Sequence, residues 1–97
     1  MNLLKYGGNM FCILVYDINE KRVNKVLKKC REYLNWTQNS VLEGNLTDAQ
    51  LYILKISLQA IINEAEDSIV IYKMRSDKYL KKDIMGIDKS DMTSNLI

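Results

Sequence analysis

The 97-residue chain contains no histidine, which removes the usual general base, the usual proton shuttle and the commonest zinc ligand together. Any chemistry must rest on carboxylates, hydroxyls or a metal ion held by oxygen. Cysteine is scarce: Cys12 and Cys30 lie within apolar patterns and lack CxxC spacing, so no zinc or redox site is expected, and two buried free thiols in a reducing cytoplasm are. No apolar run is long enough to cross a bilayer. Met1 to Asn9 is too short for a signal peptide and is set aside as an N-terminal extension, a start-site or cloning remnant. Only four glycines are present, and none forms a ligand-cradling loop, which weighs against a small-molecule regulatory domain. Phe11 is the only phenylalanine. The interleaved basic and aromatic signature of a base-stacking sheet is therefore missing.

What is present fits one small domain. Hydrophobic residues make up 47% and charged residues 27%, the proportions of a globular protein. A chain this short buries only about two-thirds of the surface its unfolded form exposes, so a partner copy would help its thin core. Net charge is +2, but the total hides a block pattern. Between Glu20 and Tyr33 stand Lys21, Arg22, Lys25, Lys28, Lys29 and Arg31 against Glu20 and Glu32; from Val41 to Asp67 only Lys55 is basic against five acids; Ser68 to Asp83 is basic again. A chain striped in this way can offer a basic face to a polyanion while staying near neutral overall.

Met10 to Tyr16 (MFCILVY) is a continuous apolar run ended by Asp17, the pattern of a strand buried on both faces. Asn19 is placed to cap a helix from Glu20 to Leu34, whose apolar stripe is Val23, Val26, Leu27, Cys30 and Leu34. Trp36 to Gly44 (WTQNSVLEG) reads as two short strands, or one sharply bent strand, around the turn-prone pair Asn39 and Ser40. Thr47 and Gln50 have capping-box spacing, and Leu46 and Leu51 that of a hydrophobic staple. A second helix therefore starts here, with Leu51, Leu54, Leu58, Ile61, Ile62 and Ala65 as its buried stripe. Ser68 to Met74 is another buried strand and Tyr79 to Ile87 a short last one, before a polar tail over Asp88 to Ile97. The order predicts an α+β, ferredoxin-like βαββαβ sandwich over residues 10–87 with a short extra C-terminal strand. Two helices cover one sheet face only. Since the central strands are apolar on both, the simplest cover for the other is a second copy, giving a homodimer packed through its sheet faces.

Asp17 is the most informative acid, since it emerges at the end of a buried strand beside a basic helix. Capping a loop is one role for such a residue; holding a metal ion is the other. Mg2+ or Mn2+ needs only one or two carboxylates and keeps several waters, and a twofold axis between two sheets could supply the second copy of Asp17. A metal there would activate water and polarise a phosphodiester without a histidine. Tyr16 and Ser40 could add hydroxyl contacts, while Arg22, Lys25, Lys28, Lys29 and Arg31 could bind phosphates along a duplex without reading sequence.

The segments ILVYD (13–17), EKRVNKV (20–26), WTQNSVLEG (36–44) and SIVIYKMRS (68–76), with the later GID, resemble the CRISPR-associated endoribonuclease family, the second Cas protein. The resemblance implies a ferredoxin-like homodimer whose last strand packs against the partner subunit, with a divalent-metal site between the two copies of Asp17. It also implies metal-dependent cleavage of single-stranded RNA or double-stranded DNA, and a central place joining two dimers of the CRISPR integrase in spacer acquisition. Tyr16, Asp17 and Ser40 match the family pattern; Leu42 stands where many relatives carry Phe, and Trp36 where some carry a basic residue. A toxin-like ribonuclease of the same fold is the alternative.

Overall fold

The computed structural model describes residues 9–90. Six main elements follow one another: β1 (Asn9–Asp17), α1 (Glu20–Arg31), β2 (Asn35–Gln38), β3 (Val41–Thr47), α2 (Asp48–Gln59) and β4 (Ser68–Met74), with a short 3-10 turn at Asp77–Tyr79. The strands form one antiparallel sheet in the order β2-β3-β1-β4. Two βαβ-type halves that interleave in this way give the ferredoxin-like sandwich the sequence predicts. Asn9 belongs to β1. The rest of the expected N-terminal extension, and the tail beyond Ser90, lie outside the described residues.

The core lies between the sheet and the two helices. Cys12, Leu14 and Tyr16 of β1, Leu42 and Leu46 of β3, Val26 and Cys30 of α1, and Leu51, Leu54 and Leu58 of α2 form one buried cluster with Leu34. Alternation along β1 sends Cys12, Leu14 and Tyr16 toward the helices and Phe11, Ile13, Val15 and Asp17 to the opposite face. Both thiols are free and buried; burial raises Cys12 and pushes Cys30 up to about 12, which leaves them protonated and chemically quiet.

The helix ends show which sequence signals hold locally. The Asn19 side chain accepts from the Lys21 amide at 3.0 Å and caps α1. Thr47 and Gln50 form the full capping box: the Gln50 amide donates to Thr47 Oγ1 at 3.1 Å and the Thr47 amide to Gln50 Oε1 at 2.9 Å. Both helices stop earlier than their apolar periodicity suggests. Leu34 lies beyond α1 yet stays buried, because its amide still reaches the Cys30 carbonyl at 2.8 Å. Beyond α2, Ile61 and Ile62 are half-buried and Ala65 is exposed, so the expected stripe loses its last member.

Two further points concern the sheet, the first as expected and the second a correction. The run Met10 to Tyr16 is apolar on both sides, and the face away from the helices is only partly covered: Phe11 is buried there, but Val70 and Tyr72 of β4, which pair with Val15 and Ile13, are 43% and 57% exposed. The extra strand expected within Tyr79 to Ile87 does not form; residues 80–90 run without ladder pairing to any described strand. Lys82 meets Glu43 of β3 at 3.3 Å, which lays this segment across the sheet face away from the helices, with Ile84, Met85 and Ile87 exposed. A strand needs a free edge running alongside it, and a segment crossing a face has none.

Candidate functional site

The C-terminal end of β1 brings the predicted site residues together, and it separates their roles. Asp17 pairs with Ser68, the first residue of β4. Its side chain is exposed, lies on the uncovered sheet face with Val15 and Val70, and has no hydrogen-bond or ion-pair partner among the described residues. Tyr16 points to the other face, into the core. Its hydroxyl donates to the Asn39 carbonyl at 3.2 Å, and burial raises its pKa. The hydroxyl grouped with Asp17 in the sequence reading is thus committed to a backbone carbonyl, because adjacent strand residues face opposite sides. Ser40 is half-buried in the β2–β3 turn, and its carbonyl accepts from the Tyr16 amide at 3.0 Å. The turn therefore sits directly against the strand end that carries Asp17.

Asn39 shapes that turn. It has a φ of 41°, in the left-handed region that asparagine tolerates better than most residues. Its carbonyl also accepts from Trp36 Nε1 at 2.8 Å. Trp36 and Tyr16, from two different strands, are therefore fastened to one peptide group.

Behind Asp17 lies a buried acid. Asp67 Oδ1 accepts from the Asn19 amide at 2.9 Å and from Arg22 Nη2 at 3.1 Å; its Oδ2 accepts from Arg22 Nε at 2.6 Å and from the Asn63 amide at 2.9 Å. The Arg22 guanidinium, helped by the two backbone amides, holds this carboxyl well below the usual carboxylate range although burial opposes it. Arg22 also reaches Glu66 at 2.6 Å, and its hydrogen bonds to Asp67 and Glu66 raise its own pKa.

The basic residues of α1 divide accordingly. Lys21, Lys25 and Lys28 are exposed and make no ion pair among the described residues. Their spacing of four and three residues puts them along one stripe. Arg22, expected on that stripe, is turned to Asp67 and Glu66, and Lys29 pairs with Glu32 at 2.8 Å. Arg31 lies with its guanidinium carbon 5.0 Å from the centre of the Trp36 ring, in cation–π range, and its Nη2 is buried with no acceptor among the described residues.

Among the described residues no cluster of three or more His, Cys, Asp or Glu is arranged to hold a metal ion. The donor Asp17 offers is a hard carboxylate oxygen, which suits magnesium or manganese, but one chain supplies one such group. A cleft of about 230 Å³ lies between β3 and the segment 82–90, lined by Thr37, Val41, Glu43 and Ile87 among others; Asp17 is not part of it. Asn39 is legible in the sequence only as a turn residue and Trp36 only as a departure from the family pattern, and the role of Asp67 escapes the sequence reading. Asp67 stood in an acidic block, and its one local signal is the place immediately before an apolar strand. No described helix is long and apolar enough to cross a membrane.

Residues 10–82 match the family model described as CRISPR associated protein Cas2. A CRISPR-associated endoribonuclease Cas2 from Dictyoglomus turgidum is 52% identical over 81 residues, covering 84% of this chain and 93% of the relative. One of the same name from Methanosarcina acetivorans is 47% identical over 88 residues, covering 91% and 100%. Among solved structures, a crystal structure of cas2 superimposes with a TM-score of 0.79 at 46% identity, covering 86% of this chain and 93% of the other. Streptococcus pyogenes Cas2 does so at 0.70 and 31%, covering 78% and 99%.

Proposed function

The chain belongs to the Cas2 family of CRISPR-associated proteins, and from that premise we propose that it acts as a homodimeric, divalent-metal-dependent endonuclease that also binds duplex DNA and bridges integrase dimers in spacer acquisition. One observation carries the nuclease reading: Asp17 is a carboxylate without a partner among the described residues, at the margin of the uncovered part of an apolar sheet face. A second copy packed on that face would cover Val70 and Tyr72 and bring a second Asp17 toward the first. The segment after the 3-10 turn, which pairs with no strand among the described residues, would find a partner there.

In this reading the two copies of Asp17 hold Mg2+ or Mn2+. A bound ion of this kind supplies Lewis-acid polarisation of a phosphodiester and a more acidic water. The chain's own residues do the rest. The β1–β4 pairing fixes where Asp17 emerges, and the β2–β3 turn holds Ser40 against the same strand end. Lys21, Lys25 and Lys28 span roughly 10 Å of helix, from a rise of about 1.5 Å per residue, and can neutralise backbone phosphates without reading bases. The bridging role rests on family membership.

The test is cleavage of labelled single-stranded RNA and duplex DNA by the purified protein with magnesium, manganese or chelator, beside Asp17→Ala. Cutting is expected to need the metal and to fall at least about 100-fold in Asp17→Ala, the loss typical when a charge-stabilising group is removed. Absence of cutting with every metal, duplex binding being intact, would leave the scaffold role alone.

A further inference from the structure

Asp17 presents a contrast. Its carboxylate has no partner among the described residues, while the backbone that carries it is held on both sides. On the sheet side it is paired with Ser68. On the helix side only Ile18 separates it from Asn19, whose amide donates to Asp67. That acid is the residue immediately before Ser68, and Arg22, one turn into α1, reaches it through two guanidinium nitrogens. The Asn19 side chain in turn caps α1. Two neighbours in sequence, Asp67 and Ser68, thus grip the chain on either side of Ile18, one through a side chain and one through the sheet ladder.

We propose that Asp67 is a positioning residue for Asp17: by clamping Asn19 and Arg22 it fixes the direction in which the strand end presents its carboxylate to a divalent cation. The clamp supplies order in advance. A carboxylate on a loop free to rotate would have to be immobilised when the cation binds, at a cost in affinity. Asp67 itself has a fully buried side chain whose four hydrogen bonds all go to groups of its own chain, so its oxygens are not presented to a cation or a substrate. Its effect must pass through Asp17. This inference rests on the nuclease reading, and its test keeps the two apart.

Asp67→Asn keeps the shape and removes the charge, and Arg22→Lys keeps the charge and removes the two-nitrogen grip. Each is compared with wild type for Mn2+ affinity by water-proton relaxation, for kcat and KM on single-stranded RNA, and for hydrogen exchange at the Asn19 amide. Supporting structure around a metal ligand is worth about 10–100-fold. Asp67→Asn is therefore expected to weaken Mn2+ binding and to lower kcat by that factor, with KM for RNA unchanged within about twofold and faster exchange at Asn19. Arg22→Lys should move the same quantities less, and it serves if Asp67→Asn fails to fold. In an Asp17→Ala background neither change should lower the residual activity further, because residues acting through one group are not additive. Wild type that binds Mn2+ and cuts RNA, beside folded variants that match it in both, overturns the positioning role alone. Wild type that does neither overturns the nuclease reading itself.

Discussion

A single peptide carbonyl, that of Asn39, takes two side-chain donors, the Tyr16 hydroxyl and the Trp36 indole. Because the second donor remains when the first is removed, Tyr16→Phe leaves no orphaned acceptor. It is expected to cost about 0.5–1.5 kcal/mol in denaturant unfolding and to leave metal-dependent cleavage near wild type, since this hydroxyl faces the core. Asp67 sets a different expectation. Its folded-state pKa is depressed, so the stability its ionised form contributes is fully present above the unfolded value, about 3.9. That contribution is lost as pH falls below this value toward the lower folded one. Acid titration of the melting temperature should show a decline below about pH 4 that is shallower in Asp67→Asn. Asp17 is legible in the sequence because everything that marks it, the strand it ends and the helix after it, is local. Asp67 is not, since its partners Asn19 and Arg22 lie 48 and 45 residues away, and no periodicity encodes so distant a hydrogen bond.

At the scale of elements, signals confined to one turn hold, and a strand signal holds only where an edge is free to pair with it. The capping box at Thr47 and Gln50 forms as its spacing predicts, and Thr47→Ala is expected to cost about 1 kcal/mol, measured as a shift in the denaturation midpoint. The last strand shows the opposite case. Its composition suits a strand, but composition does not supply the edge to pair with, and the Lys82–Glu43 contact lays the segment over β3 instead. The basic helix falls between these cases: its amphipathic face is plain in the sequence, yet which cations stay free is decided by acids from other segments. Lys25→Ala and Lys28→Ala should each reduce the slope of log affinity for duplex DNA against log salt by about one. Lys29 pairs with Glu32, so Lys29→Ala should change that slope less.

At the scale of the whole molecule, the sheet order follows from the sequence of elements, and the surplus of apolar residues on the second face was legible beforehand as a face in need of cover. The particular side chains left exposed, Val70 and Tyr72, were not, because the split between faces depends on register. A glutamate on that face would be costly to bury without a partner charge. Val70→Glu is therefore expected to sediment as a monomer where wild type sediments as a dimer, while keeping its far-ultraviolet circular dichroism. The grip on Asn39 has a practical consequence as well. Trp36 is the only tryptophan in the chain, and its indole nitrogen is bonded to the turn that abuts the end of β1. Excited at the red edge, where the tyrosines scarcely absorb, the fluorescence of the protein thus arises from one indole at the margin of the candidate site, with the Arg31 guanidinium stacked on it. Its emission maximum and quenching by iodide will report on that corner of the molecule without any added label.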